Sequence, residues 1–151
     1  SDNAKQAFHL QLAHLYTQAH QAKAKPDSQG VFEFIRLLNI AQRLYNQIDL
    51  SKATEAEKNK LALGAYSSKN NISRPDMIYL LSSKIIGYDL KDVFNLYGLT
   101  ISSTAQSSIA ILKLPTAPLH FYAQPANRSN YLTEGTWVNI PTNGVVANYP
   151  Y

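Results

Sequence analysis

The sequence predicts a mainly α-helical fold: a bundle of five to six helices followed by a short C-terminal β element. Apolar residues recur at helical spacing along much of the chain before residue 113. The 14 basic and ten acidic side chains all lie in residues 1–113 except Arg128 and Glu134, whereas five of the seven prolines lie in residues 114–151. We therefore expect a helical bundle domain at 1–113 and a small β- and turn-rich extension at 114–151 that packs on it.

Periodicity defines the first two helices. The first is predicted from Ala4 to Ala24, where apolar residues recur at steps of three and four. Pro26-Asp27 and Gly30 are typical of a turn. The second helix is predicted from Val31 to Ile48, and its apolar stripe is wide enough for a central position in the bundle.

Start and stop signals define the next two helices. Thr54 and Glu57 have the spacing of a capping box, so a third helix should begin there and continue towards Tyr66. Ser73 should cap a fourth helix, which has Pro75 and Asp76 in its first turn and ends at Gly87 after Ile86.

The last elements are shorter. Asp89 should cap a fifth helix that runs through Tyr97 and ends at Gly98, and Ser102 or Ser103 should cap a sixth that reaches about Leu112. Strands are predicted at 118–123 and 136–140, with a third at 145–149. From these elements we expect a core that contains Leu38, Leu44, Leu81, Ile85, Phe94 and Leu99.

Composition excludes several classes of protein. The chain has no cysteine, which excludes disulfides, thiolate nucleophiles and cysteine zinc sites. Its formal charge of +4 is modest and its basic residues are scattered, so we expect no nucleic-acid partner. The most apolar stretch, 31–48, is interrupted by Glu33, Arg36 and Arg43, so we expect no membrane span.

Catalytic motifs are missing from the sequence. His9, His14 and His20 are five and six residues apart, which places their rings roughly 120–140° apart around a helix. The four-residue spacing of HExxH is absent, as are a serine nucleophile elbow and a Gly-rich phosphate loop. We therefore predict no catalytic, cofactor-binding or metal-binding residue, and no enzymatic activity for this chain alone.

Aromatic residues are concentrated in the nearly uncharged tail. Aromatic rings accompanied by amides and hydroxyls suit stacking on sugars, because a pyranose face is apolar and its rim forms hydrogen bonds. The alternative is that these rings build a small β core. The candidate glycan-binding residues are Tyr122, Asn127, Tyr131, Trp137 and Tyr149.

One stretch resembles a known family. The chain contains, in this order, Ser83-Lys84, Gly87, Asp89-Leu90, Phe94, Gly98-Leu99 and Ser102. This order of a Ser-Lys pair, a glycine, an Asp-Leu step, an aromatic, a Gly-Leu pair and a polar helix start resembles the helical region downstream of the zinc site in enhancin-like, mucin-degrading metallopeptidases. This group contains viral enhancins and accessory colonisation factor D. The resemblance spans residues 31–112.

The sequence departs from the family pattern at Tyr97, where a Trp is usual, at Val93, where an aromatic is usual, and at Asn39-Ile40, where a Gly-Trp pair is common. The zinc motif is also absent. The resemblance implies a non-catalytic C-terminal domain of a secreted or surface-bound bacterial zinc metallopeptidase that acts on mucin-type glycoproteins. Its expected partners are the catalytic domain of the same polypeptide and mucin glycoprotein or glycan, and the zinc would belong to the parent protein. The alternative is a free-standing carbohydrate- or protein-binding module.

Overall fold

The structure is a computed structural model, and it describes residues 2–21, 26–123 and 135–139. In these ranges six helices precede a two-stranded antiparallel sheet, which confirms the predicted fold class. The elements are α1 (Asp2–Gln21), α2 (Ser28–Gln47), α3 (Glu55–Lys60), α4 (Arg74–Ile86), α5 (Lys91–Leu96), α6 (Ser103–Ile111), β1 (His120–Ala123) and β2 (Thr136–Asn139). No helix in the part of the chain described is both long and apolar enough to cross a bilayer.

Most predicted caps are confirmed. Thr54 and Glu57 form a capping box at the start of α3. The side chains of Ser73 and Ser102 accept backbone N–H groups at the starts of α4 and α6. Gly87 ends α4 in the left-handed conformation, with φ of 85°. Local signals therefore place these helix ends correctly, because a cap depends on residues three or four positions apart.

The prediction that Asp89 caps the fifth helix is wrong in register. Leu90 occupies the cap position, without a side-chain cap bond. The Oδ1 atom of Asp89 instead accepts hydrogen bonds from the Lys91 backbone N–H at 3.0 Å and from the Tyr79 hydroxyl at 2.7 Å. Asp89 therefore links α4 to the start of α5.

The junction between α1 and α2 also differs from the prediction. Asp27 caps α2 and accepts the Gly30 N–H, so the helix begins at Ser28 and Gly30 lies inside it rather than in a turn. A Cβ atom at position 30 would collide with Thr17 of α1. Glycine is thus needed where the two helices approach closely. The predicted end of the first helix, at Ala24, lies outside the described residues.

The third helix is shorter than expected, ending at Lys60 rather than near Tyr66. Ala62 has a left-handed backbone, with φ of 58°, which cannot continue a helix. The Ser108 hydroxyl of α6 donates to the Ala62 carbonyl and accepts the Ala65 N–H, at 2.6 and 3.1 Å. A contact with α6, which is distant in sequence, therefore stabilises this turn, and no residue pattern near Ala62 predicts it.

The core prediction is confirmed for Leu38, Leu81 and Phe94, which are buried. Ile85 and Leu99 are half-buried and pack against the core. The prediction for Leu44 is wrong, since its side chain is 38% exposed. Leu44 lies about 120° around α2 from Leu38, and the buried face of this helix is the one that carries Phe34, Leu38 and Ala41.

The segment after α6 pairs with the connection between α4 and α5 before forming β1. Asp89 exchanges backbone hydrogen bonds with Pro115 and Ala117 at 2.8 and 3.0 Å. β1 then pairs with β2, so that Tyr122 faces Trp137. β1 begins at His120 rather than at position 118, and β2 follows its prediction from Thr136 to Asn139. Residue 140 and the third predicted strand (145–149) lie outside the described residues. The division of the chain at 113/114 stays a prediction.

Candidate functional site

Of the five candidate glycan-binding residues, the structure describes two. Tyr122 is 1% exposed, so its ring is not available to stack on a sugar. Trp137 is half-buried and packs against the core. Asn127, Tyr131 and Tyr149 lie outside the described residues, and a glycan-binding role for them and for Trp137 stays a prediction.

The rings of the β element form a small cluster on α1. Tyr122 contacts His14 edge to face, with ring centroids 5.3 Å apart, and contacts Trp137 at 5.5 Å. Trp137 also lies on His120, with a centroid distance of 4.5 Å and a tilt of 40°. Because cross-strand partners share one face of a sheet, Tyr122 and Trp137 both belong to the face that carries these contacts.

Two glutamines of α1 attach β1 to the helix. The Gln11 amide donates to the Tyr122 carbonyl at 3.1 Å and accepts the Tyr122 N–H at 3.0 Å. This side chain therefore pairs with the strand backbone as a neighbouring strand would. Gln18 Oε1 lies 2.9 Å from His120 Nε2. Partial burial lowers the pKa of His120, although a bond to Asn139 opposes this shift. A neutral imidazole with Nε2 protonated suits the contact with Gln18.

The three histidines of α1 have separate roles, as their spacing predicts. His9 Nδ1 lies 2.8 Å from the Lys5 carbonyl. His14 is fully buried, and desolvation lowers its pKa to about 4. His20 Nε2 lies 2.9 Å from the last carbonyls of α4, those of Ile85 and Ile86. Across the ranges that the structure covers, no three His, Asp or Glu side chains are grouped so that they could hold a metal ion.

The residues that carry the family resemblance have structural roles. The Ser83 hydroxyl accepts the Leu90 N–H at 3.3 Å, and Phe94 is fully buried between Phe8 and Tyr79. Ser102 caps α6. The two glycines of the pattern, Gly87 and Gly98, have positive φ values at turns. The shared pattern is thus one of capping and packing.

A second candidate site lies where α1 meets the start of α4. Its pocket has a basic rim formed by Lys5, His9 and Arg74. Sequence analysis did not identify it, because Arg74 is 65 positions or more from the other two and no local spacing connects them. Only the packing of α1 on α4 brings these residues together.

Comparisons with known proteins identify a shared fold. The sequence matches no protein-family model and no curated protein. In structure the chain is similar to the IMPa metallopeptidase from Pseudomonas aeruginosa, with 22% identity and a TM-score of 0.69 over 95% of this chain. It is also similar to the IMPa metallopeptidase in complex with T-antigen (22% identity, TM-score 0.70, 97% of this chain).

A third similar structure is IMPa from Pseudomonas aeruginosa in complex with an O-glycopeptide, with 24% identity and a TM-score of 0.71 over 96% of this chain. In all three comparisons this chain covers 16% of the other chain. The described chain therefore has the fold of one part of a much longer metallopeptidase.

Proposed function

We propose that this chain is a non-catalytic domain of a secreted or surface-bound bacterial zinc metallopeptidase that acts on mucin-type glycoproteins. The domain would follow the catalytic segment and support it. The observation that carries the proposal is the match of nearly this whole chain to 16% of the IMPa metallopeptidase chains, two of which are complexes with T-antigen or an O-glycopeptide. The family pattern in residues 83–102 supports the same conclusion.

The chemistry of the described residues is consistent with a supporting role. The histidines of α1 do not converge, and no carboxylates complete a ligand set around them in the described ranges. The residues present therefore do not fit a catalytic zinc, and the metal and the catalytic groups would belong to another part of the polypeptide.

The exposed face of α2 supplies a contact surface for such a partner. Phe32 and Ile35 are 70% and 46% exposed. They lie three positions apart and are therefore neighbours on one side of the helix. We define these two residues as the α2 face. Neighbouring large apolar side chains exposed on one helix are typical of a surface that another domain covers. We propose that the catalytic domain of the same polypeptide covers it.

A glycan-binding role for the tail is part of the proposal. Trp137 is the only tryptophan of the chain, so its fluorescence reports on this segment alone. Titration with mucin glycans should shift its emission, and Tyr131→Ala should weaken the response. An emission that no glycan changes would favour the alternative, in which the aromatic residues only build a core.

The proposal is tested on the natural polypeptide that contains this chain. We expect that polypeptide to hold zinc and to cleave O-glycosylated mucin. Phe32→Glu combined with Ile35→Glu should shorten its half-life on heating, because two charges would be buried at the contact with the catalytic domain. The same pair should leave the melting temperature of the 151-residue chain nearly unchanged, since both side chains are exposed there.

Ile111→Glu is the matched control, because Ile111 is 49% exposed on a different helix, α6. It should change neither half-life nor melting temperature. A polypeptide without zinc or proteolytic activity would contradict the proposal. A complete reading frame no longer than this chain would do the same and would favour a free-standing carbohydrate- or protein-binding module.

A further inference from the structure

The α1–α4 pocket combines an apolar floor with a basic rim. Its volume is about 240 Å³. The rim consists of Lys5 and His9 from α1 and Arg74 from the first position of α4. The floor is formed by Phe8, Pro75, Ile78, Phe94 and Leu99.

The rim groups are available to a ligand. Lys5 and His9 are one helical turn apart and therefore project from the same face of α1. A carbonyl oxygen can only accept a hydrogen bond, so His9 Nδ1 donates to the Lys5 carbonyl, and His9 Nε2 is the ring atom left for a ligand. The side chains of Lys5 and Arg74 form no hydrogen bond or ion pair with any described residue.

Among the described residues, no carboxylate lines this pocket. The nearest acidic residue in sequence to Arg74, Asp76, is buried, and its two oxygens accept hydrogen bonds from the N–H and hydroxyl of Ser102 at 3.0 and 2.6 Å. No described carboxylate on the pocket lining therefore neutralises Lys5 or Arg74. An anion that enters the pocket would meet the ammonium group of Lys5 and the guanidinium of Arg74, and a guanidinium can bind a carboxylate through two parallel hydrogen bonds.

We infer that this pocket binds a carboxylate-bearing sugar at the end of a glycan chain. The carboxylate would bind Arg74 and Lys5, and the apolar face of the ring would lie on Leu99 and Pro75, which are both half-buried. The volume is below the range of pockets for drug-sized ligands, which suits a single sugar unit. A neutral sugar would leave the rim without a partner. The inference rests on the proposed function, which supplies glycoprotein as the source of the ligand.

The test is a calorimetric and NMR titration of the 151-residue chain with N-acetylneuraminate, its methyl ester, N-acetylgalactosamine and N-acetylaspartate. We expect N-acetylneuraminate to bind with a Kd on the order of 1 mM, as is common for a single small contact site. The methyl ester and the neutral sugar should bind about tenfold more weakly or not at all, which corresponds to about 1.4 kcal/mol. Binding should weaken as salt concentration rises.

Variants distinguish binding at the basic rim from attraction by the net positive charge of the chain. Arg74→Gln should abolish binding and Lys5→Glu should weaken it severalfold, with unchanged far-UV circular dichroism because both side chains are exposed. Arg43→Gln removes an exposed arginine from α2 and should change nothing. Equal binding of the acid and its methyl ester would overturn the inference.

Other results would also overturn it. N-acetylaspartate binding without N-acetylneuraminate binding would assign the pocket to acidic peptide rather than to sugar. Absence of binding to every probe would leave the rim as solvated surface. These outcomes do not affect the zinc content or mucin cleavage of the longer polypeptide, so failure of this inference is distinguishable from failure of the proposed function.

Discussion

At the scale of single residues, His14 is the least expected side chain of the interior. It is fully buried, and neither ring nitrogen has a hydrogen-bond partner among the described residues. Its ring contacts the Tyr122 ring from β1. Desolvation lowers the pKa of His14 to about 4, so the ring is neutral in the folded chain at neutral pH.

This burial predicts sensitivity to acid. In the unfolded chain a histidine has a pKa of about 6.5, so below that value the unfolded state binds a proton that the folded state excludes. The contribution of the neutral His14 ring to the free energy of unfolding is therefore fully present above about pH 6.5. It is lost as the pH falls towards 4, by roughly 3 kcal/mol in total. Urea unfolding at about pH 7 and about pH 4.5 measures this loss. The free energy of unfolding should fall much less between the two pH values in His14→Phe than in the parent chain.

The matched control for His14 is His9→Phe, which changes an exposed histidine of the same helix. It should retain the acid sensitivity of the parent chain. If His14→Phe and the parent lose stability equally between the two pH values, the ring is hydrated or bonded in the folded chain, and this explanation is wrong.

Leu81 and Leu44, which the sequence analysis both places in the core, should respond differently to substitution. Leu81 is 1% exposed and Leu44 is 38% exposed. Leu81→Asp should lower the free energy of unfolding by several kcal/mol, because it buries an unpaired charge, whereas Leu44→Asp should cost less than about 1 kcal/mol. Urea denaturation of both variants measures the difference. Equal losses would mean that the orientation of α2 or α4 differs from the structure.

At the scale of helices and strands, one hydrogen-bonded contact joins the starts of α4 and α6. Ser102 caps α6 by accepting the Ala105 N–H. It also binds both carboxylate oxygens of Asp76, which lies in the first turn of α4 and is 3% exposed. Through its hydroxyl and its backbone N–H, Ser102 therefore satisfies a helix end and a buried carboxylate at once.

Ser102→Ala should consequently cost about 2–3 kcal/mol, more than the loss of an ordinary cap, because the Asp76 carboxylate also loses a bond. Ser103→Ala is the control, since Ser103 is exposed and its side chain forms no hydrogen bond with any described residue. Thermal melting of both variants gives the comparison. A Ser102→Ala chain as stable as Ser103→Ala would show that Asp76 is compensated by solvent.

The elements that the sequence predicts correctly are those governed by local contacts. The caps at Thr54, Ser73 and Ser102 depend on hydrogen bonds within one helical turn. The end of α3 and the place of Gly30 depend instead on Ser108 and Thr17, which lie on other helices. The α1–α4 pocket has the same origin, so neither periodicity nor motif spacing could reveal it.

At the scale of the whole molecule, the β element depends on α1 for its position. Gln11 forms both hydrogen bonds between α1 and the Tyr122 backbone, and the Tyr122 side chain fills the space beside His14. A two-stranded sheet is marginally stable by itself. The sheet should therefore detach from the helices at a lower free-energy cost than the unfolding of the bundle.

Gln11→Ala should allow the two-stranded sheet to detach before the helical bundle unfolds. Loss of two hydrogen bonds to a partly buried strand should weaken attachment of the sheet by about 1–3 kcal/mol. The helical core contacts of α1, through Phe8, Leu12 and Leu15, are retained. In urea, the Trp137 emission of this variant should shift to the red before the far-UV circular dichroism of the helices is lost. In the parent chain the two transitions should coincide or lie closer together.

The matched control is Gln47→Ala, which changes an exposed glutamine at the end of α2 and should behave as the parent chain does. If the two probes remain as close in Gln11→Ala as in the parent, the rings of Tyr122 and Trp137 rather than the Gln11 amide hold the sheet on α1.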